Sequence, residues 1–391
     1  MSNKAARIES IDLLRGVVIV IMVLDHVRGY FHADVFLFDP TDLTKTSAAT
    51  FFTRWITHFC APAFVLLAGT SAALTGQRKS TAELSKFLLT RGLWLMFLEM
   101  TIINFGWFFN PHFDFNPLQV IWALGVCMVV LAGLVHLPGK LILAIGLIIL
   151  FGHNALDGIH FDGNSFSAFL WAELHEPKIF QYAGKSFRTN YPVLPWIGII
   201  ALGYSIGGLF TSKISSEKRR DNLMTIGLSS ILLFLILRGI NMYGNVLPWS
   251  MQKDIPFSIM SFLNTTKYPP SLQFALMTLG PAMIFLSIME KPLGKWAQPF
   301  LHFGRVPMFF YIIHIFLIHF LVLVFMEVSG VDWHEGIITK GLKNWHPKNF
   351  GYSLTVVYTI WLGVILFMYP LCKWYDKYKT SRKDKWWLSY L

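Results

Sequence analysis

Apolar residues in this chain gather in long unbroken runs, not in the two-residue alternation of a half-buried sheet. Runs of about 18 or more recur from end to end, the length a helix needs to cross the ~30 Å hydrocarbon core of a bilayer. Candidate spans cover 11–31, 52–75, 88–109, 118–136, 139–152, 192–210, 222–241, 270–289, 300–326 and 352–374, the fifth being short. Helices are expected because backbone polar groups in lipid must be satisfied within their own segment. The pattern predicts an all-α fold: a polytopic helical bundle of about ten membrane spans. A single transmembrane domain is expected over residues 1–391.

The connections between runs differ in charge. One set carries Arg78, Lys79, Lys86 and Arg91, then Lys140, then Lys213, Lys218, Arg219 and Arg220, then Lys291 and Lys295. The tail adds Lys373, Lys377, Lys379, Arg382, Lys383 and Lys385. The alternate set is acidic, with Asp34, Asp39 and Asp42, then Asp157, Asp162, Glu173 and Glu176. The positive-inside rule puts the basic set and both termini in the cytoplasm. At the N-terminus Lys4 and Arg7 precede a run too long for a signal-peptide core and without a small-residue cleavage site, so it is expected to stay as the first span. Lys385-Trp386-Trp387 has the composition of an interfacial anchor. Three outer connections, 153–191, 242–269 and 327–351, hold Trp, Pro, His and Gly and are expected to be ordered caps.

Composition agrees. Only 14% of the 391 residues are charged and 54% are hydrophobic, against roughly 25% charged in soluble domains; mean hydropathy is +0.51. The net charge of +11 lies in membrane-flanking connections, which argues against nucleic acid as a partner. Cys60, Cys127 and Cys372 have neither a disulfide pattern nor metal-ligand spacing. No metal is expected. The absence of an internal repeat speaks against transporters built from duplicated halves.

Ionisable groups inside spans are costly and point to function. The first span holds Arg15, Asp25 and His26. Arg15 and His26 are 11 residues apart, so they share a face and sit roughly 16 Å apart along the axis. Asp25 projects about 100° away from His26. Arg54 and His58, four apart near the outer end of the second span, share a face as well. Asp25, His26, Arg54 and His58 could converge on one outer-leaflet site; alternatively Arg54 pairs with Asp25 and His58 is a core histidine. Glu99 and Asn104 lie in the third span, and Arg305, His314 and His319 in the ninth. His314 and His319 are some 140° apart around their helix, so at most one joins a site. Lys267-Tyr268-Pro269-Pro270 opens the eighth span, and Lys267 or Tyr268 is placed to contact a substrate or to anchor a turn. His153 and Asp157 form an H-x3-D pattern like that of soluble CoA-dependent acyltransferases, without that fold around it.

The segment Arg7-Ile8-Glu9-Ser10-Ile11-Asp12-Leu13-Leu14-Arg15-Gly16, continued by Leu24-Asp25-His26-Val27-Arg28, resembles the start of the heparan-alpha-glucosaminide N-acetyltransferase catalytic-domain family, in its bacterial branch. Further blocks agree: His58-Phe59-Cys60-Ala61-Pro62-Ala63-Phe64, Ala68-Gly69-Thr70-Ser71, Tyr191-Pro192-Val193-Leu194-Pro195-Trp196-Ile197-Gly198, Lys267-Tyr268-Pro269-Pro270-Ser271-Leu272 and Phe303-Gly304-Arg305-Val306-Pro307. The arginine and histidine at 15 and 26 also resemble the first-helix motif of bacterial membrane acyltransferases that O-acylate envelope glycans. The chain departs from the lysosomal enzyme of the family, which has asparagine near the Asp25 position. The family's proposed catalytic histidine has three candidate counterparts here, His26, His32 and His58.

The resemblance implies acetyl-CoA as donor on the cytoplasmic side and a glycan or amino-sugar acceptor outside, in a bacterial inner membrane whose lipids surround the protein. A homo-oligomer is compatible with it. Arg15 would draw the donor's phosphates, and His26 would act as general base or transient acyl carrier, helped by Asp25 and His58. Arg54, Lys267, Tyr268 and His314 would line the binding sites. The competing reading is a proton-coupled transporter or permease that uses the same buried charges as a relay.

Overall fold

Each apolar run lies on a helix. The computed structural model describes residues 8–345, 347–382, 384, 385 and 388. Lys4, Arg7, Lys383 and the anchor residues Trp386 and Trp387 lie outside the described residues. Helix α1 (Glu9–Phe31) is followed by α2 (Ala48–Trp55), which passes through a 3-10 turn at Ile56–Phe59 into α3 (Cys60–Gly76). Helix α4 (Thr81–Leu98) continues through a π-turn at Glu99–Ile103 into α5 (Asn104–Phe108). Then come α6 (Val120–Leu134), α7 (Gly139–Gly152), α8 (Phe166–His175), α9 (Leu194–Gly207) and α10 (Ser216–Ile240). The chain closes with α11 (Ile255–Leu263), α12 (Leu272–Ile288), α13 (Gln298–Arg305), α14 (Pro307–Val328) and α15 (Leu354–Ser381).

Among the described residues six helical stretches have the length and apolarity to cross a membrane, and three shorter apolar helices, Val120–Leu134, Leu194–Phe210 and Leu272–Ile288, accompany them. Helix α1 spans 23 residues but carries Glu9, Asp12, Arg15, Asp25 and Arg28. Outward-facing Leu228, Leu232, Leu235 and Ile236 on α10, and Leu362, Leu366 and Phe367 on α15, are exposed apolar groups suited to lipid. The fold is therefore a largely helical membrane bundle.

Local chemistry sets where helices begin and break. Ser80 and Glu83 form a reciprocal capping box that starts α4 seven residues before its apolar run. Ser215 caps α10 by accepting the Lys218 N–H, which starts that helix six residues before its apolar run. Pro62 has no N–H for the carbonyl of His58, and the helix tightens into its 3-10 turn just there. The expected single span over 300–326 is two helices. Val306 precedes Pro307 and takes φ −130°, ψ 51°, off the helical region that a proline disfavours for its neighbour. Arg305 thus ends α13 instead of sitting inside a span.

Packing rests on glycine contacts, as expected where helices associate by close backbone approach and not by a hydrophobic drive. A methyl group on Gly16 of α1 would sit 1.9 Å from the Phe300 carbonyl oxygen of α13, and one on Gly304 would sit 1.9 Å from that of Asp12. Gly69 of α3 and Gly203 of α9 repeat the arrangement at 2.1 Å from the Ile200 and Leu66 carbonyl oxygens.

A small sheet, absent from the sequence expectations, sits at the end of the bundle where α1 finishes. Strands β2 (Ile179–Tyr182) and β3 (Lys185–Thr189) form a hairpin, and β1 (Phe115–Leu118) adds parallel to β3. Ala183 and Gly184 at its tip both have positive φ, 50° and 75°, the requirement of a two-residue hairpin turn. This end is called the cap end below. The opposite end, where α1 starts and the Lys- and Arg-rich connections gather, is the basic end.

Candidate functional site

Helices α1 and α14 bring two histidines together. His26 Nδ1 lies 2.8 Å from His314 Nε2, and the rings stack with centroids 5.1 Å apart. His314 Nδ1 lies 2.9 Å from the Phe310 carbonyl oxygen one turn earlier. A carbonyl oxygen only accepts, so His314 Nδ1 carries the hydrogen and its Nε2, in the neutral ring, is an acceptor. His26 Nδ1 must then donate, which leaves the lone pair on His26 Nε2. The order of protons is assigned from this network. Trp107 stands edge-on to His26 at 4.8 Å and Tyr311 at 6.1 Å. Trp107 Nε1 donates to the Tyr311 hydroxyl at 3.4 Å, and the Tyr30 hydroxyl donates to the Trp107 carbonyl at 2.5 Å. His314 is wholly buried, whereas His26 retains some exposure. His319 instead faces the Gly106 and Gly336 carbonyls at 3.1 and 2.8 Å.

At the basic end Arg15 donates to Asp12 at 3.2 Å, to the Gly304 carbonyl at 3.0 Å and to Ser71 Oγ at 3.0 Å. The close approach of α1 and α13 at Gly16 and Gly304 is what puts that carbonyl within reach. Arg305 lies 3.6–3.7 Å from Glu9, Asp12 and Asp376, and His302 hydrogen-bonds Asp376 at 2.8 Å. A cavity of about 310 Å³ has Arg15, Arg91, Arg305 and Lys379 in its wall, together with apolar side chains such as Ile19, Leu95, Leu124 and Met128. Its wall also includes Met22, one turn before His26, and Tyr311, whose ring stands against His26. Ile121 of α6 lines it too. The N–H groups of Ile121 and Trp122 donate to Glu99 Oε2 at 3.1 and 3.2 Å, so the π-turn carboxylate caps this helix start.

At the cap end Asp25 is clamped by Arg54 at 2.5 Å and Arg28 at 2.9 Å. It ties α1 to α2 and turns away from His26, as the 100° offset of adjacent residues requires. His58 is buried with its ring 5.4 Å from that of Phe274, and its Nδ1 has no partner among the described residues. His58, Arg54, Lys267 and Tyr268 share the wall of a polar cavity of about 470 Å³. A neighbouring cavity of about 240 Å³ is lined by Arg54 and Tyr268 again, with Arg188 and Tyr191. The Tyr268 hydroxyl donates to that of Tyr191 at 3.4 Å, and Lys267 Nζ lies 5.2 Å from the Tyr268 ring centre. Burial alone would raise the Tyr268 hydroxyl; the charges of Lys267 and Arg54 outweigh it and hold it below the usual phenol range. His32, the third candidate histidine, sits past the end of α1 with Nε2 3.7 Å from Asp34.

The four residues of the proposed outer site are thus arranged as two groups. Asp25, Arg54 and His58 belong to the cap-end polar wall, while His26 turns to α14. Trp107, Tyr311 and Arg188 carried no expectation from sequence, and Tyr191 only its place in a family-like block. Aromatic residues in apolar runs are ordinary core or lipid-facing material, and the one available signal was the three-residue spacing of Tyr311 and His314.

A largely helical bundle with six stretches long and apolar enough to cross a membrane, holding a histidine pair, a basic cavity and polar cavities, is the architecture of a multi-pass membrane protein. Residues 7–243, more than half of the chain, match the family described as heparan-alpha-glucosaminide N-acetyltransferase, catalytic, and the chain belongs to that family. Membership implies transferase activity of the membrane acetyltransferase kind. The matched stretch includes Arg15, Asp25, His26, Arg54 and His58 and ends before Lys267, Tyr268 and His314. No curated protein gives a significant match to this sequence.

Proposed function

We propose that this protein moves an acetyl, or related short acyl, group from cytoplasmic acetyl-CoA to an amine or hydroxyl of a glycan or amino sugar outside a bacterial inner membrane. In this reading the chain is one transmembrane domain with ten crossings, made by the six long stretches, the three shorter apolar helices and α1. The basic end and both termini face the cytoplasm, in line with the positive-inside rule.

The observation that carries the reading is the ordered His26–His314 pair, which leaves a lone pair on His26 Nε2, with Met22 one turn before it and the Tyr311 ring beside it lining the basic-end cavity. Arg15, Arg91, Arg305 and Lys379 suit the phosphates of the donor, since guanidinium groups match phosphate oxygens by paired hydrogen bonds. The apolar wall beyond them suits a pantetheine arm, and the ~16 Å rise from Arg15 to His26 is comparable to its reach. The cap-end cavity around Arg54, His58, Lys267 and Tyr268 takes the acceptor. As the acceptor nitrogen or oxygen attacks the thioester carbonyl, its proton passes to His26 Nε2, the carbon–sulfur bond breaks, and the CoA sulfur leaves with a proton. If His26 carries the acyl group first, Nε2 attacks the thioester and the acceptor then displaces the imidazole. In both routes His314 Nε2 accepts from His26 Nδ1–H and stabilises the positive ring.

A melting-temperature titration of detergent-purified protein with CoA and acetyl-CoA tests the donor assignment. Saturable stabilisation by both ligands, weakened on substitution of Arg15, is expected. A protein that ignores CoA yet passes substrate across liposomes would be a transporter.

A further inference from the structure

The H-x3-D residues His153 and Asp157 meet a third residue that their spacing does not reveal. His153 opens the 3-10 turn that ends α7, Asp157 follows it, and His175 is the last residue of α8. One ligand atom from each lies within 4.8 Å of the other two. His175 Nε2 is 3.0 Å from Asp157 Oδ1. His153 is 2% exposed and His175 3%, yet both ring nitrogens of His153 and Nδ1 of His175 have no partner among the described residues. Buried ring nitrogens are normally hydrogen-bonded or bound to metal. We propose that His153, Asp157 and His175 form a zinc site at the cap end, distinct from the His26–His314 site.

Two imidazoles and a carboxylate are a donor set that Zn²⁺, a borderline-soft ion, accepts; it takes four ligands and here would keep one position for water or an added group. Tetrahedral donors about 2.1 Å from zinc lie about 3.4 Å apart, so the three ligand atoms, which lie within 4.8 Å of one another, would draw somewhat closer on binding the ion. The ion replaces the hydrogen between His175 and Asp157. The outer shell is already built: Asn154 Nδ2 holds the other Asp157 oxygen at 2.9 Å, and Asn154 Oδ1 accepts the Leu272 N–H at 2.9 Å. His175 sits at the carbonyl end of α8, where the helix dipole favours a cation. Zinc would therefore staple α7, α8 and, through Asn154, the start of α12. The chain leaving His175 forms the β2–β3 hairpin and reaches Tyr191 in the wall of the cap-end cavities, so the staple would fix that wall.

The test uses untagged full-length protein in detergent, stripped with a chelator and reloaded with Zn²⁺. Bound metal is counted by elemental mass spectrometry, and melting temperature is followed with and without Zn²⁺. One zinc per chain, a rise of several degrees on reloading, and loss of both in His153→Ala are expected. Asp157→Asn, which keeps the contact to Asn154, serves as a second variant should His153→Ala fail to fold. Cobalt(II) in the wild-type protein gives a further readout, since a four-coordinate site shows intense visible absorption that Zn²⁺ displaces. Absence of retained zinc and of the cobalt band in the wild type, or equal zinc binding in a folded variant, would overturn the proposal.

Discussion

Which nitrogen of His26 holds a proton decides what this residue can do. The Phe310 carbonyl fixes His314, and His314 fixes His26. His26→Ala is expected to abolish acyl transfer while leaving a folded protein that still binds CoA; near-normal turnover would refute the mechanism. His314 acts through His26 and so is a positioning residue. His314→Phe should lower the rate by about 10²-fold or more, whereas His314→Gln, whose amide oxygen can still accept from Nδ1, should recover part of it. His58, in the acceptor wall, should cost less than His26 when cut to Ala. Arg15 is held by Asp12, Ser71 and the Gly304 carbonyl, so part of its role is to fix the helix start. Arg15→Ala is expected to weaken CoA binding by about 1.5–3 kcal/mol, the scale of a lost charged hydrogen bond, and Arg15→Lys by less. Isothermal titration of the folded fraction separates this from Asp12→Asn, which should lower stability and leave affinity intact. Candidate residues were legible because charge in an apolar run is conspicuous. One partnership, Arg54 with Asp25, was among the readings the sequence allowed and is the one observed, but the histidine pair was not legible: His26 and His314 are 288 residues apart, and their meeting depends on the rotation of two helices about their axes.

Helices meet through the paired glycines, and the site inherits its geometry from them. Gly16 and Gly304 let α1 and α13 touch, which carries the Gly304 carbonyl to Arg15 and Arg305 to Asp12. Gly304→Ala would place a methyl group against backbone that has no room to give. A loss of about 1–3 kcal/mol, the usual cost of overpacking, is expected, read as a lower melting temperature together with weaker CoA binding. Gly133→Ala, which meets nothing within 4 Å, is the neutral control; equal effects of the two would refute the role given to the contact. Apolar periodicity revealed the helices, but not where they break or how far they extend. The break at Val306 follows from one proline, and the early starts of α4 and α10 follow from capping side chains, neither of which a hydropathy window registers. The three-strand sheet was hidden for a related reason: its strands are only four or five residues long, and β1 pairs with β3 across 71 positions of sequence.

The whole molecule is polarised along its helix axes. Arg15, Arg305 and the ion pairs of Glu9, Asp12 and Asp376 gather at one end. The sheet, α8, α11 and the polar cavities gather at the other. In the proposed reading that asymmetry gives donor and acceptor separate approaches toward His26, and it sets which way round the protein must sit for cytoplasmic acetyl-CoA to reach Arg15. Lys218 stands in the exposed first turn of α10 at the basic end, and Asp162 is exposed in the loop before α8 at the cap end. The native thiols Cys60, Cys127 and Cys372 are all buried, so an introduced cysteine at either position reports on its own. In sealed, right-side-out cells an impermeant maleimide should label Asp162→Cys directly and Lys218→Cys only after the membrane is opened. The reverse order would put Arg15 outside, away from the donor, and so exclude the proposed direction of transfer. Labelling of both from one side would exclude the ten-crossing arrangement, in which the single crossing of α9 separates Asp162 from Lys218.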